Sequence, residues 1–153
     1  MKETTTATRD RPQRPQWPLR PPRTSGAATR RLRMAGDAAS VRDARHLVEQ
    51  ALAECASDIP PEIRDAAVLL AGEVVTNAVV HGGGWFLLQV DATPERLRVE
   101  VTDSTAGRPR VLQMAGEREH GRGMAIVDSI ATTWGTEHLG THKVVWFELD
   151  VRP

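Results

Sequence analysis

Cysteine is nearly absent from the sequence, since Cys55 is the only one among 153 residues. A single cysteine excludes an intramolecular disulfide and a cysteine-rich metal site, so nothing in the chain demands an oxidising compartment. The sequence also lacks a run of about 20 apolar residues and an apolar signal core at its N-terminus, which argues against a membrane helix and a secretory signal. We therefore expect a cytoplasmic protein that does not bind a membrane.

The net charge of the chain is zero, but the charges are unevenly distributed. Residues 1–33 contain nine Lys and Arg against two Asp and Glu, whereas residues 34–153 contain eleven against eighteen. The basic part includes the stretch RDRPQRPQWPLRPPRTSG, whose prolines and arginines favour neither a helix nor a core. We expect residues 1–28 to form a disordered basic tail and residues 29–153 to form one folded domain.

The basic tail has two interpretations. It either contacts nucleic acid or an acidic partner, or it is a solvated extension without a function of its own. Trp17 is its only aromatic residue, so the tail has no ladder of rings on which the bases of a single strand would stack. A nucleic-acid-binding function would rest on charge alone, and we expect no direct binding to nucleic acid.

Hydrophobic periodicity divides the rest of the chain into strands and helices. It predicts, in order, a strand over 29–36, an amphipathic helix over 38–56, a second helix over 62–81, strands over 85–93 and 96–104, a third helix over 122–134, and strands over 134–139 and 143–151. Residues 104–120 show no periodicity and are long for a loop, which indicates a lid or a binding loop.

The order of these elements predicts the fold class. Strands that follow each other directly pair antiparallel, and all three helices can then lie on one face of the sheet. We expect a two-layer α+β sandwich with a mixed, mostly antiparallel sheet. In the strand RLRVEVTDS, apolar and polar residues alternate from Leu97 to Thr102, which predicts that the face of the sheet opposite the helices is solvated.

The second helix contains the stretch GEVVTNAVVHGGGW, in which Glu73, Asn77 and His81 are spaced four residues apart. This spacing aligns them in one stripe along a helix that is otherwise almost entirely apolar. The stripe either faces solvent or is buried, and buried polar groups need partners. A carboxylate beside a carboxamide suits a hydrated hard cation or the proton of a nucleophile.

Two further features are weak when taken alone. Asp103 stands at the end of a strand, where it serves either as a turn former or as a ligand. Gly121 and Gly123 in EHGRGMAIV come just before the third predicted helix, where they form either a hinge or a backbone site for phosphate oxygens. The sequence contains no GxxxxGK[ST], no complete dinucleotide fingerprint, no GxSxG and no HExxH, which argues against four familiar classes of site.

Taken in order, ExxxNAxxH with a glycine, an Asp at a strand end and GxG resemble the GHKL (Bergerat-fold) ATPase superfamily. The stretches GEVVTNAVVHG, VEVTDS, GRGMAIVDSIATTWG and KVVWFEL are most similar to the short serine/threonine-protein kinases that act as anti-sigma factors in bacteria, particularly those of actinobacteria. The similarity covers roughly residues 29–150.

The resemblance implies an ATP-dependent kinase with ATP and Mg²⁺ as cofactors. It implies that Glu73 is the catalytic base and that Asn77 coordinates the Mg²⁺. Asp103 would accept a hydrogen bond from the adenine amino group, and Gly107 would let the chain pass close to the base. Gly121 and Gly123 would lie under the phosphates at the start of the third helix, with residues 108–120 as the ATP lid. No catalytic role is implied for His81.

The partners implied are a sigma factor and an anti-sigma-factor antagonist whose serine or threonine receives the phosphoryl group, and a homodimer remains open. A non-catalytic ATP-responsive binding module of the same fold is the main alternative, and a fragment of a sensor histidine kinase is another. Two positions depart from the family pattern, since Thr105 and Val144 stand where relatives have glycine and threonine. We expect the missing hydroxyl at 144 to weaken ATP binding.

Overall fold

The computed structural model describes residues 28–55, 58–81, 84–104 and 113–152, with side chains from residue 122 onward in the last range. The basic tail expected from the sequence lies outside these residues, except that Ala28 is already the first residue of a strand. Thr105, Gly107 and the first part of the expected ATP lid also lie outside them.

The described chain folds into five strands and three helices in the order expected from the sequence. They are β1 (Ala28–Met34), α1 (Ala38–Cys55), α2 (Pro61–His81), β2 (Phe86–Ala92), β3 (Arg96–Ser104), α3 (Gln113–Ile130), β4 (Thr133–Leu139) and β5 (His142–Asp150). No helix within the described ranges has both the length and the apolar character needed to cross a bilayer.

The strands form one sheet in the order β1-β2-β3-β5-β4, and each described pair is antiparallel. Buried side chains of all three helices join one face of this sheet in a single hydrophobic core. The sheet contributes alternate residues to this core, such as Phe86, Val99 and Phe147, as the two-residue period of a strand requires. The expectation of a two-layer α+β sandwich with helices on one face is confirmed.

Local sequence signals determine where α1 and α2 begin. Asp37 caps α1, because its Oδ1 accepts a hydrogen bond of 3.0 Å from the backbone N–H of Ser40. α2 begins at Pro61, where proline suits the first turn because the missing N–H would have no partner in the helix. The turn before α1 contains Gly36 with φ of +70°, and the chain leaving α2 passes directly beside it at Gly84.

The third helix differs from the sequence-based expectation. α3 begins at Gln113, so Gly121 and Gly123 lie inside the helix and not before its first turn. The segment QMAGEREH that precedes the glycines is rich in residues with high helix propensity, and this outweighs the cost of about 1 kcal/mol for each glycine in a helix. The prediction of a structureless loop up to residue 120 was wrong for 113–120.

The second face of the sheet also differs from the expectation. We use this name for the face opposite the helices. The alternation in β3 predicted that it would be solvated, but Arg98, Glu100 and Thr102 are only 3–4% exposed. The same holds for other residues of this face on the neighbouring strands, namely Leu87, Gln89, Asp91 and Val144. The polar pattern of a strand therefore does not report its exposure here.

Gly36 provides a test of the contact that brings the start of α1 beside the end of α2. A Cβ at Gly36 would lie 1.8 Å from the carbonyl oxygen of Gly84, whereas a Cβ at Gly140, which also has positive φ, meets nothing within 4 Å. We expect Gly140→Ala to lose only the conformational cost of about 1–2 kcal/mol, and Gly36→Ala to lose clearly more. Urea unfolding of both variants measures the difference, and equal losses would contradict the close backbone contact.

Candidate functional site

The polar stripe of α2 lies half-buried in the middle of the fold. Glu73, Asn77 and His81 are each partly exposed, and of the residues between them Val74, Val75 and Ala78 are buried, whereas Thr76 and Val80 are exposed. α2 contacts α1, α3 and strands β3 and β5, so most of its circumference is covered by other elements. The stripe therefore lies between the buried face of α2 and its exposed face, where its polar groups remain partly accessible.

The carboxylate of Glu73 lies against α3 at Gly123. A Cβ built on Gly123 would come within 2.6 Å of Glu73 Oε2. Glycine at this position leaves the space that the carboxylate occupies, and any side chain would compete with it. The structure thus brings together two of the site residues expected from the sequence, although by a contact that the expected loop at Gly123 did not anticipate.

Asp103 lies near the end of β3 on the helix side of the sheet. It pairs with Phe86 on β2 and with Lys143 on β5. Directly paired residues point to the same face of a sheet. Because Phe86 belongs to the hydrophobic core, Asp103 also points toward the helices. The side chain of Asp103 is 1% exposed, and its Oδ1 is a buried acceptor without a hydrogen-bond partner. A buried, unpaired acceptor is costly, so it calls for a donor from a ligand.

Burial raises the pKa of the Asp103 carboxyl, because the charged form loses its hydration. The positive charges of Lys143, His142 and His138 oppose this effect and lower the pKa, but burial prevails. Lys143 pairs directly with Asp103, and His138 follows in the same row on β4. These three residues carried no motif. The pairing of the strand KVVWFELDV with the strand that contains Asp103 would have placed Lys143 and its neighbours beside Asp103.

The remaining residues expected at the site are placed as follows. Asn77 lies one helical turn from Glu73, Gly121 lies within the backbone of α3, and Gly107 lies outside the described residues. Val144 points to the second face of the sheet, because it is the strand neighbour of Lys143 and pairs with Thr102. The side chain at 144 therefore faces away from Asp103, and the expectation that a missing hydroxyl there weakens ATP binding stays a prediction.

A metal at this site would depend on few protein ligands. Among the side chains that the structure describes, no group of three or more His, Cys, Asp and Glu is arranged to hold a metal ion. Mg²⁺ tolerates such a site, because it keeps several waters and uses one or two protein oxygens together with phosphate oxygens. The half-buried carboxamide of Asn77 fits that donor set, and a zinc or calcium cage does not.

The two-layer α+β sandwich, the polar stripe on α2 and the buried Asp103 at a strand end together define the candidate site. The model of the histidine kinase-like ATPase domain family matches residues 34–148, which is 115 of the 153 residues. The chain belongs to this family, so the family expected from the sequence is confirmed.

A solved structure has the same fold. It is the crystal structure of the RsbU and RsbW domains of Rv1364c from Mycobacterium tuberculosis, with a TM-score of 0.57 and 18% sequence identity. The match covers 81% of this chain and 33% of that one, so the chain corresponds to about a third of the length of that protein. No curated protein matches the chain.

The contact between Glu73 and Gly123 can be measured by a double-mutant cycle. Replacing a helical glycine by alanine stabilises a helix by about 1 kcal/mol. We expect Gly123→Ala to show that full gain only in a Glu73→Ala background, where the carboxylate no longer occupies the space. In the wild-type background the gain should be smaller or absent. Urea unfolding gives the four stabilities. The same effect of Gly123→Ala in both backgrounds would contradict the contact.

Asp103 is expected to destabilise the free protein at neutral pH. Its folded-state pKa is raised above the unfolded value of about 3.9, so ionisation costs more in the folded state. The cost is absent below the unfolded pKa, grows as pH rises toward the folded pKa, and is complete above it. Asp103→Asn should therefore raise the melting temperature at pH 7 and lose this advantage in acid. Thermal melts of both proteins from pH 3 to 8 test this, and a difference independent of pH would contradict it.

Proposed function

We propose that the chain binds ATP with Mg²⁺ and acts as an anti-sigma factor that is also a serine/threonine-protein kinase. The observation that supports this most directly is the buried, unpaired Oδ1 of Asp103 on the helix side of the sheet, in a chain of the histidine kinase-like ATPase domain family. A specific hydrogen-bond donor is the ligand group that this oxygen lacks. The exocyclic amino group of adenine is such a donor.

Adenine selectivity follows from the ionisation of Asp103. A carboxylate accepts hydrogen bonds only, so it favours a purine with an amino group and rejects one with a carbonyl oxygen at the same position. Lys143 and the neighbouring histidines favour the ionised form, because they lower the pKa that burial raises. Lys143 is therefore part of the proposed adenine site, although it need not contact the base.

Asn77 and the glycines form the proposed phosphate end of the site. The carboxamide of Asn77 supplies one oxygen to the Mg²⁺ that neutralises charge on the phosphates. Gly123 leaves the face of α3 beside Glu73 free of a side chain, which supports a close approach of the phosphates to the backbone there, and Gly121 is the second glycine proposed to lie under the phosphates. Gly107 is the proposed point at which the chain passes close to the base.

Glu73 is the proposed catalytic base. Its carboxylate accepts the proton of a serine or threonine hydroxyl of the partner while that oxygen forms a bond to the γ-phosphorus, and the bond from phosphorus to the oxygen of the ADP leaving group breaks. The Glu73 carboxylate occupies the space left by Gly123 and lies one helical turn from Asn77, so in this proposal it faces the same pocket without being a ligand of the Mg²⁺. Phosphoryl transfer depends mainly on positioning and charge neutralisation, so one oriented carboxylate is enough.

The proposed partners are a sigma factor and an anti-sigma-factor antagonist. The antagonist would be the phosphoryl acceptor, and its unphosphorylated form would release the sigma factor from this chain. These partners rest on the resemblance of GEVVTNAVVHG and GRGMAIVDSIATTWG to the anti-sigma-factor kinases. A cytoplasmic location, where a sigma factor is available, is part of the same proposal, and a homodimer is compatible with it.

Two single substitutions separate binding from transfer. Glu73→Gln keeps size and hydrogen bonding but removes the base, so we expect nucleotide affinity and sigma-factor binding to persist while transfer falls about 10²–10⁴-fold. Asn77→Ala removes the metal ligand, so Mg²⁺-dependent nucleotide binding itself should be lost. Calorimetry with ATP and Mg²⁺ measures binding, and labelled ATP with the antagonists encoded by the same organism measures transfer.

The outcomes distinguish the readings. Transfer by Glu73→Gln at the wild-type rate would show that Glu73 is not the base. Binding without transfer to any antagonist by the wild type would favour the non-catalytic, ATP-responsive module. A well-folded wild type that binds neither ATP nor ADP would remove the nucleotide site itself.

A further inference from the structure

The row of side chains that contains Asp103 crosses the sheet on its helix side. Direct cross-strand pairing places four side chains next to one another, namely Phe86 on β2, Asp103 on β3, Lys143 on β5 and His138 on β4. Their exposure rises in this order, because Phe86 and Asp103 are 0% and 1% exposed, Lys143 is partly exposed and His138 is exposed. The row therefore opens to solvent toward β4, and a ligand that reaches Asp103 from that side lies against Lys143.

Lys143 interrupts the apolar pattern of its strand. The other helix-side residues of β5 all belong to the hydrophobic core, namely Val145, Phe147 and Leu149. β3 has the same pattern in the opposite direction, because its helix-side core residues precede Asp103. Both apolar series thus end in a charged residue, and these two residues are direct neighbours at the border of the core. One offers only hydrogen-bond acceptors when ionised, and the other offers only donors.

Asp103 Oδ1 has no hydrogen-bond partner although Lys143 is its direct neighbour. Lys143 acts on Asp103 through its charge, which lowers the pKa of the carboxyl against the effect of burial. The Cβ atoms of directly paired residues are about 4.5–5.5 Å apart, and the lysine stem is long and flexible. Its Nζ can therefore reach a ligand atom that lies beside the ligand atom bound to Oδ1.

An acceptor with a donor at its side matches the edge of adenine. The exocyclic amino group of this base is a donor, and the ring nitrogens on either side of it, N1 and N7, are acceptors. With the amino group at Asp103 Oδ1, one of these nitrogens faces the direct neighbour of Asp103. Its lone pair needs a donor once water has been displaced, because an unpaired buried acceptor is costly.

We propose that Lys143 determines base specificity by direct contact: its ammonium donates a hydrogen bond to a ring nitrogen beside the adenine amino group, while Asp103 accepts one from that amino group. This inference rests on the proposed function, because it requires the base to lie at Asp103. It goes beyond the effect of the Lys143 charge on Asp103, which needs no contact with the base. A base that has the amino group but lacks the ring nitrogen beside it is then also disfavoured.

Nucleotide analogues that lack one ring nitrogen test this contact. Calorimetry in the presence of Mg²⁺ compares ADP, 1-deaza-ADP and 7-deaza-ADP on the full chain, as wild type and as Lys143→Met, which keeps the length of the side chain but removes the donor. We expect the wild type to bind one of the two analogues about tenfold or more weakly than ADP, as expected for a hydrogen bond with one charged partner. The identity of that analogue tells whether N1 or N7 is the contacted atom.

In Lys143→Met, we expect ADP to bind about tenfold or more weakly than in the wild type. The difference between ADP and the discriminating analogue should fall to about twofold or less, because the donor that sensed the ring nitrogen is gone. This loss of discrimination separates contact from an effect of charge, since a charge that acts only on Asp103 changes the affinity for all three nucleotides alike.

His138→Gln is the matched control. His138 also lowers the pKa of Asp103, but it lies one strand further along the row and is exposed. Its replacement should change the affinity for the three nucleotides by the same factor and leave the discrimination intact. Circular dichroism verifies the fold of both variants. The comparison of the three nucleotides on the wild type needs no variant, so it tests the contact even if Lys143→Met does not fold.

Three results would overturn the role of Lys143 and leave the nucleotide site in place. Equal affinity of the wild type for ADP and both analogues would mean that no ring nitrogen is contacted. Discrimination that persists in folded Lys143→Met would assign the contact to another donor, such as a protonated Asp103. Equal weakening of all three nucleotides by Lys143→Met would mean that Lys143 acts by charge alone. A folded wild type that binds none of the three would instead remove the proposed nucleotide site and this inference with it.

Discussion

The packing of α2 is the constraint on which the rest of the structure depends. This helix contacts both other helices and two central strands, and its buried Leu70, Val74 and Val75 each contribute about 1.5–3 kcal/mol. Because these residues fix the rotation of α2 about its axis, they also fix the direction in which Glu73 and Asn77 point. These two residues are four apart and so lie on the same side of the helix. The position of the site is thus decided by apolar packing, and the glycine on α3 opposite Glu73 is what lets the two helices approach without displacing the carboxylate.

Stability and ligand binding oppose each other at Asp103. Burial raises its pKa, and its Oδ1 has no partner in the free protein, so the group costs the fold free energy. Nearby Lys143 reduces that cost without removing it, since the net direction of the pKa is still upward. Residues that destabilise a fold persist where the surrounding structure holds them for a ligand. A donor that satisfies Oδ1 recovers part of this free energy as binding free energy.

Much of the fold could be predicted from the sequence, because periodicity reports where apolar residues are buried. The strands and the first two helices agree with it to within a few residues. The predicted start of α3 was wrong, because the prediction began the helix after Gly121, whereas the helix-forming residues before the glycines extend it back to Gln113. Of the site residues expected from the sequence, the structure brings Glu73 and Gly123 together, and their roles stay a prediction. The role of Lys143 and the direction of Val144 depend on register between distant strands, which no local pattern reports.

The burial of the second face was the largest departure, and it also explains how register is maintained. Successive residues of a strand point to opposite faces, so a one-residue slip of β3 against β5 would exchange the faces of every side chain. Such a slip would turn Arg98 and Glu100 into the apolar core beneath α2, and it would turn Asp103 away from the helices. The ion pair of Arg98 with Glu148, at 2.7 Å, joins β3 to β5 and forms in the observed register, in which the two residues are direct neighbours. Because unpaired charges in a core cost far more than paired ones, the network on one face fixes the position of the carboxylate on the other.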